Sequence, residues 1–88
     1  MKLQGILGIN VQRFRRKKNL SQEQLALIAG RTRGYMSGLE AGRRNVTLDT
    51  LEVLAAALDV EASDLIREPS NERSVLSDNQ AMGQAREA

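Results

Sequence analysis

The chain has 88 residues, which suits one small domain rather than two. It contains no cysteine or histidine, so disulfides, thiolate metal sites and the commonest general base are excluded. Its longest apolar run, residues 53–58, is far shorter than the ~20 residues of a membrane span, and its start lacks a sustained signal-peptide core. We therefore expect a cytoplasmic protein that is not an enzyme, has no catalytic or metal site, needs no cofactor and has no membrane partner.

Charge is distributed unevenly along the chain. Residues 1–46 contain ten Lys and Arg against two acidic residues, whereas residues 47–88 contain three Arg against nine acidic residues. The net charge of +2 therefore combines a half of +8 with a half of −6. This asymmetry favours a polyanionic partner for the first half, although a merely solvated basic face would give the same count.

Apolar spacing predicts a first helix over residues 3–18. Residues four and three positions apart share one helical face, and the apolar residues with this spacing are Leu7, Val11 and Phe14. The basic run at 15–18 suits the negative end of a helix dipole, and Asn19 can take the left-handed conformation that ends the helix.

A capping box predicts the second helix, over residues 22–29. Ser21 is followed three residues later by Gln24, and Gly30 supplies a left-handed stop. The apolar residues that this helix offers to a core are Leu25, Ala26, Ile28 and Ala29.

A third helix is predicted from the N-cap Thr32 to about Ala41, with Gly42 as its stop. Met36 and Leu39 have the spacing of core residues. Two short helices joined by a tight, glycine-containing turn form the helix-turn-helix arrangement, whose second helix can enter a DNA major groove.

Two more helices complete the predicted domain. Thr47 is positioned to cap a fourth helix over 48–58, and a short fifth helix carries Leu65 and Ile66 before Pro69. The apolar face expected of the fourth helix comprises Leu48, Leu51, Val53, Leu54, Ala55 and Leu58. The sequence thus predicts an all-α domain of five helices over residues 1–68.

Residues 69–88 form a polar C-terminal tail. Serine, asparagine, glutamine and glutamate are common there, and the only sizeable apolar residues are Val75, Leu76 and Met82. Such a segment buries too little apolar surface to offset its ordering entropy, so we expect disorder. The alternative is a short helix over about 72–86 that packs on a partner subunit.

Four ordered segments resemble the lambda-repressor-like helix-turn-helix family, the Cro and C1 type often called the XRE family. They are LSQEQLA in the second helix, Gly30 in the turn, YMSGLEAG in the third helix and TLDTLEVLAAALDV in the fourth. The resemblance covers residues 7–66 and implies a five-helix lambda-repressor-like domain that binds DNA and regulates transcription. The run RNVT and residues 33–37 are also similar to restriction-modification controller proteins.

The resemblance places Arg33 and Gly34 where members of the family read bases, at the start of the recognition helix. Arginine there can bond guanine O6 and N7 together. Many members have a polar side chain where this chain has Gly34, so base reading concentrates on Arg33, with Thr32 and Ser37 as secondary readers. Gly34 and Gly38 are expected to keep the groove-facing side low, so that the backbone approaches DNA closely.

Phosphate contacts are expected around this helix. The start of the second helix at Gln22 presents free amide hydrogens to a phosphate; the Gln22 side chain can alternatively only cap, and in the family it can also brace the recognition helix. Arg31 reads bases or grips phosphate, and plain solvation is the alternative for both Arg31 and Arg33. The Tyr35 hydroxyl reaches phosphate, or the residue is simply core. The other phosphate-binding candidates are Lys18, Arg43, Arg44 and Asn45.

The expected partner is double-stranded DNA, bound by a homodimer on a near-palindromic operator. The dimer surface is expected to comprise Leu58, Val60, Leu65 and Ile66. The alternative is an antitoxin or other protein-interaction module whose tail holds a protein partner while the helical domain autoregulates through DNA. An enzyme ranks third, because no nucleophile, base and oxyanion site can be assembled from these residues.

Overall fold

The computed structural model describes residues 2–69, which fold into an all-α domain of five helices. The helices are α1 (Leu3–Lys17), α2 (Gln22–Ala29), α3 (Arg33–Glu40), α4 (Leu48–Leu58) and α5 (Ala62–Leu65). The predicted fold class is confirmed. Both expectations for the tail beyond residue 69 lie outside the described residues.

Side-chain caps begin the helices where the sequence predicted them. The hydroxyls of Ser21, Thr32 and Thr47 each accept a hydrogen bond from the backbone N–H three residues later, at 3.0, 3.0 and 3.1 Å. Gln24 completes the capping box by accepting from the Ser21 N–H at 2.7 Å. The predicted left-handed residues are also observed, with φ of 58° at Asn19 and 70° at Gly30.

The hydrophobic core lies where the helices meet. Its buried members are Leu7, Val11, Leu25, Ala26, Met36, Leu39, Leu54, Ala55, Leu58 and Leu65. Met36 and Leu39 are core residues as predicted, and Phe14 packs half-buried against the cluster. Three apolar residues assigned to core faces are instead exposed, namely Ile28, Leu48 and Val53. Within residues 2–69, the packing of the helices leaves these three side chains largely uncovered.

A glycine allows α1 and α3 to cross closely. A Cβ atom at Gly8 would lie 2.6 Å from the carbonyl oxygens of both Leu39 and Glu40, far inside van der Waals contact. Backbone therefore packs on backbone at this crossing, and only glycine fits. The crossing fixes the C-terminal end of α3 against the middle of α1.

A buried ion pair joins the ends of three helices. Arg15 Nε donates to Glu40 Oε2 at 2.6 Å, and Arg15 Nη1 donates to the Leu20 carbonyl at 2.7 Å. Gln22 Nε2 donates to the other Glu40 carboxylate oxygen at 3.1 Å. These contacts link the C-terminal end of α1, the start of α2 and the end of α3, and so set the orientation of α3.

Candidate nucleic-acid interface

Helix α3 has one exposed face and one face locked into the core. Arg33, Gly34 and Ser37 are exposed, whereas Met36 and Leu39 are buried. Thr32, which caps the helix through a bond to the Tyr35 N–H, is exposed at the edge of the same surface. The structure therefore brings the predicted base-reading residues together on one side of a rigidly held helix.

Gln22 braces α3. Its side-chain amide is half-buried and donates to Glu40, while the cap of α2 is supplied by Ser21. The alternative in which the Gln22 side chain only caps is therefore wrong. The amide hydrogens of the first turn of α2 remain an electropositive site beside α3.

Tyr35 lies between two arginines. The guanidinium carbons of Arg31 and Arg44 lie 5.1 and 4.9 Å from the centroid of its half-buried ring. Arg31 Nη2 also donates to the hydroxyl of Thr50 at 2.8 Å, which ties the α2–α3 turn to α4. Two cations on one ring concentrate positive charge at the margin of α3.

The two glycines inside α3 differ in their surroundings. A Cβ at Gly34 would meet nothing closer than the Thr32 hydroxyl, at 3.9 Å. A Cβ at Gly38 would lie 3.3 Å from Nε and 3.4 Å from Cγ of Arg44, and Gly38 is buried. The expectation of a low, open surface therefore fits Gly34, but it is wrong for Gly38, because the Arg44 side chain covers that position.

The remaining phosphate-binding candidates lie in different surroundings. Arg43 and Asn45 are exposed in the loop after α3, and the Asn45 carboxamide oxygen accepts a hydrogen bond from the Gln4 side chain. Lys18 lies at the end of α1, where its ammonium is 3.8 Å from an Asp59 carboxylate oxygen and both side chains are well exposed.

The predicted dimer surface needs a correction. Leu58 and Leu65 are only 2% and 0% exposed, because they pack inside the core of the chain itself, so they offer no surface to a second copy. Val60 is half-buried and Ile66 is 40% exposed.

Ile66 instead borders an apolar groove between α1 and α4, here called the α1–α4 groove. Its lining is apolar at Leu3, Leu7, Val46, Leu48, Leu51 and Ile66 and polar at Gln4, Arg44 and Asn45, which lie on the side of the loop that follows α3. Leu48 is 79% exposed and Leu3 is 57% exposed. The groove therefore carries apolar surface that the rest of the described chain leaves uncovered.

Sequence reasoning missed the partners that hold the site residues. Glu40 and Thr50 were not singled out, yet they anchor Gln22 and Arg31. One signal was available for Glu40, because residues 1–46 contain only two acidic residues and Glu40 is the one on the recognition helix. A lone acid in a strongly basic segment is a sign of an ion pair. For Thr50, no sequence pattern indicated the hydrogen bond with Arg31, because its spacing from Thr47 indicates only the cap of α4.

Within residues 2–69, no helix has the length and apolar character needed to cross a bilayer. The same part of the chain holds no group of three or more acidic side chains arranged to bind a metal ion.

Comparisons with known proteins agree with this geometry. A helix-turn-helix family matches residues 11–65. The control protein C.SmaI of Serratia marcescens is 47% identical over 66 residues, which cover 75% of this chain and 79% of that protein. The crystal structure of the restriction-modification controller protein C.AhdI from Aeromonas hydrophila has a TM-score of 0.67 at 42% identity, covering 70% of this chain and 90% of C.AhdI.

A structure that contains DNA is also similar. The biofilm regulator SinR, crystallised in complex with DNA, matches with a TM-score of 0.66 at 31% identity, covering 69% of this chain and 98% of SinR. The exposed face of α3, the tight turn before it and these matches together show that the chain belongs to the Cro/C1-type (XRE) helix-turn-helix family of DNA-binding transcriptional regulators, a family without enzymatic activity that includes restriction-modification control proteins.

Proposed function

We propose that this protein binds double-stranded DNA sequence-specifically, as a homodimer on a near-palindromic operator, with α3 in the major groove. The observation that carries the proposal is the exposed face of α3, where Arg33, Gly34 and Ser37 lie side by side while the opposite face is locked in the core. Because the proposed partner is DNA, the proposal places the protein in the cytoplasm.

Arg33 is the principal base reader in this proposal. It is exposed at the first position of α3, and the open space at Gly34 lets the helix backbone approach the base edges. A guanidinium that bonds guanine O6 and N7 discriminates by about 1–3 kcal/mol per base pair. Thr32 and Ser37 border Arg33 and supply hydroxyls for secondary contacts.

Phosphate contacts flank α3 on both sides. The first turn of α2 at Gln22 and the exposed Arg43 and Asn45 present donors to the sugar-phosphate backbone. Arg31 and the Tyr35 hydroxyl belong to the same set, with Arg31 held in place by Thr50. Lys18 adds a cation at the end of α1.

Dimerisation is expected because each chain supplies one recognition helix. Two copies related by a two-fold axis present two such helices about 34 Å apart, one turn of DNA. The α1–α4 groove supports a contact between copies, since Leu3, Leu48 and Ile66 leave apolar side chains uncovered. A second copy that buries them also adds stability to a domain too small to bury more than about 60% of its unfolded surface.

The proposal is tested by selecting binding sites from random DNA with the full-length protein, and then measuring affinities for the selected operator and its single-base variants. Arg33→Ala is expected to lose preference for one base pair in each half-site. Arg43→Ala is the matched control, because it removes an exposed arginine from the neighbouring loop. It is expected to weaken binding to all sequences alike and to lower the salt dependence by about one phosphate contact.

Two results would contradict the proposal. One is a wild-type protein that selects no sequence from random DNA at low salt. The other is an Arg33→Ala variant that retains the full wild-type base preference.

A further inference from the structure

The Arg44 side chain lies along α3 in the space over Gly38, where the helix carries no side chain. This space over Gly38 is here called the lane. The Cγ and Nε of Arg44 pass 3.4 and 3.3 Å from the place where a Cβ of residue 38 would stand, and its guanidinium reaches back to the Tyr35 ring, 4.9 Å from the centroid. The side chain therefore runs from the loop toward the N-terminus of α3. Gly38 is buried, and the Arg44 side chain covers it.

The hydrogen-bonding capacity of this guanidinium is unused. Within residues 2–69, Arg44 is exposed and makes a ring contact but no hydrogen bond or ion pair. By contrast, Arg31, which contacts the same ring, donates a hydrogen bond to the Thr50 hydroxyl. Stacking on Tyr35 restricts the orientation of the Arg44 fork, so less conformational entropy is lost when it binds a planar acceptor pair.

The lane borders the exposed face of α3. Positions 34 and 38 are one helical turn apart, and a Cβ at Gly34 would meet only the Thr32 hydroxyl. The Arg44 side chain, which covers position 38, therefore lies one helical turn from the exposed Gly34.

We infer that Arg44 is a second base-reading residue, which reads a guanine through the lane left open by Gly38. The inference rests on the proposed function, because it requires α3 in the major groove. It moves Arg44 from the phosphate-binding group, where the sequence alone placed it, to the specificity-determining group, and it gives Gly38 the role of a spacer. The ligand chemistry is the O6 and N7 acceptor pair of guanine, which a guanidinium fork matches.

The experiment compares Arg44→Ala and Arg44→Lys on the selected operator and its single-base variants, with Arg43→Ala as the loop control. Lysine keeps the charge but lacks the planar fork, so it separates base reading from phosphate binding. Both Arg44 variants are expected to lose about tenfold to a hundredfold of preference for guanine at one base pair, different from the pair that Arg33→Ala affects. Arg44→Lys is expected to keep the wild-type salt slope.

Gly38→Leu tests the spacer role. A leucine fills the lane and displaces Arg44, so it is expected to lose preference at the same base pair as Arg44→Ala. In the double variant the two changes are expected to add nothing to each other, because both act through one contact. Thermal unfolding of each variant confirms that a folded domain is being compared.

Three outcomes would overturn the inference. In the first, Arg44→Ala weakens binding to all sequences alike and lowers the salt slope by about one, while Arg44→Lys binds like the wild type. This result would assign Arg44 to a phosphate and leave the proposed function intact. A second is independent, additive effects of Gly38→Leu and Arg44→Ala on base preference. The third is the absence of any sequence preference in the wild-type protein, which would refute the proposed function as well.

Discussion

Three of the glycines that lie inside helices have three different physical roles. At Gly8 the neighbouring atoms are backbone carbonyl oxygens of α3, at Gly38 they belong to the flexible side chain of Arg44, and at Gly34 there is open space. The cost of adding a methyl group depends on whether the neighbour can move. Backbone in a packed helix crossing cannot, whereas an arginine side chain can.

Gly8→Ala is therefore expected to destabilise the domain. The new methyl group would overlap two carbonyl oxygens at 2.6 Å and push α1 away from α3, at a cost of about 1–3 kcal/mol for overpacking. Gly34→Ala is the matched control, since its methyl group meets no close neighbour, and it is expected to leave the free energy of unfolding unchanged or raise it by less than about 1 kcal/mol. Urea unfolding of the full-length protein measures both. Equal stability of the two variants would refute the close crossing.

At the level of the helices, the buried contact among Arg15, Glu40 and Gln22 orients α3. The side chains of Arg15 and Glu40 are only 10% and 3% exposed, so neither charge is solvated if its partner is removed. A buried pair of this kind is weak evidence for stability as such, but breaking it is costly. Its value for DNA recognition is geometric, because it holds the end of the reading helix against both α1 and α2.

Glu40→Ala is expected to lower the free energy of unfolding by about 3–5 kcal/mol, because it leaves the Arg15 guanidinium buried without its counter-ion. Lys18→Ala, which removes the exposed pair with Asp59, is the matched control and is expected to cost less than about 1 kcal/mol. Thermal unfolding followed by circular dichroism compares the two. A Glu40→Ala protein that unfolds at the wild-type temperature would show that the pair does not hold α3.

Helix ends were predictable from the sequence and helix faces only partly so. The caps at Ser21, Thr32 and Thr47 depend on contacts within four residues, which are visible in the sequence itself. Burial depends on which helix lies opposite. The sequence pattern at Leu58 and Leu65 is the same whether these residues face their own core or a second chain. Only the packing of α4 and α5 on α1 decides between these alternatives.

The candidate DNA-binding site, like the helix faces, could be predicted only in part from the sequence. Arg33 and Ser37 lie on the exposed side of α3, as the helical pattern and the family resemblance predict. The course of Arg44 over Gly38 and the bond from Arg31 to Thr50 join residues six and nineteen positions apart across different elements. No periodic pattern encodes such contacts, so they required coordinates.

For the molecule as a whole, the distribution of apolar surface assigns different tasks to different sides. The α1–α4 groove exposes Leu3, Leu48 and Ile66, while α2 exposes Leu27 and Ile28 on another side. Neither set contributes much to the core, so substitutions at their most exposed members can report on association without unfolding the domain. Leu48 and Leu27 are 79% and 81% exposed and form a matched pair.

Leu48→Glu is expected to convert the proposed dimer to a monomer, because a dimer through the α1–α4 groove would bury the new carboxylate against apolar side chains. Glutamate at the first position of α4 also suits the positive end of the helix dipole, so the fold itself is retained. Leu27→Glu is expected to stay dimeric. Light scattering on both full-length proteins over a concentration series measures the mass, and a Leu48→Glu protein that stays as dimeric as the wild type would exclude this groove as the contact between copies.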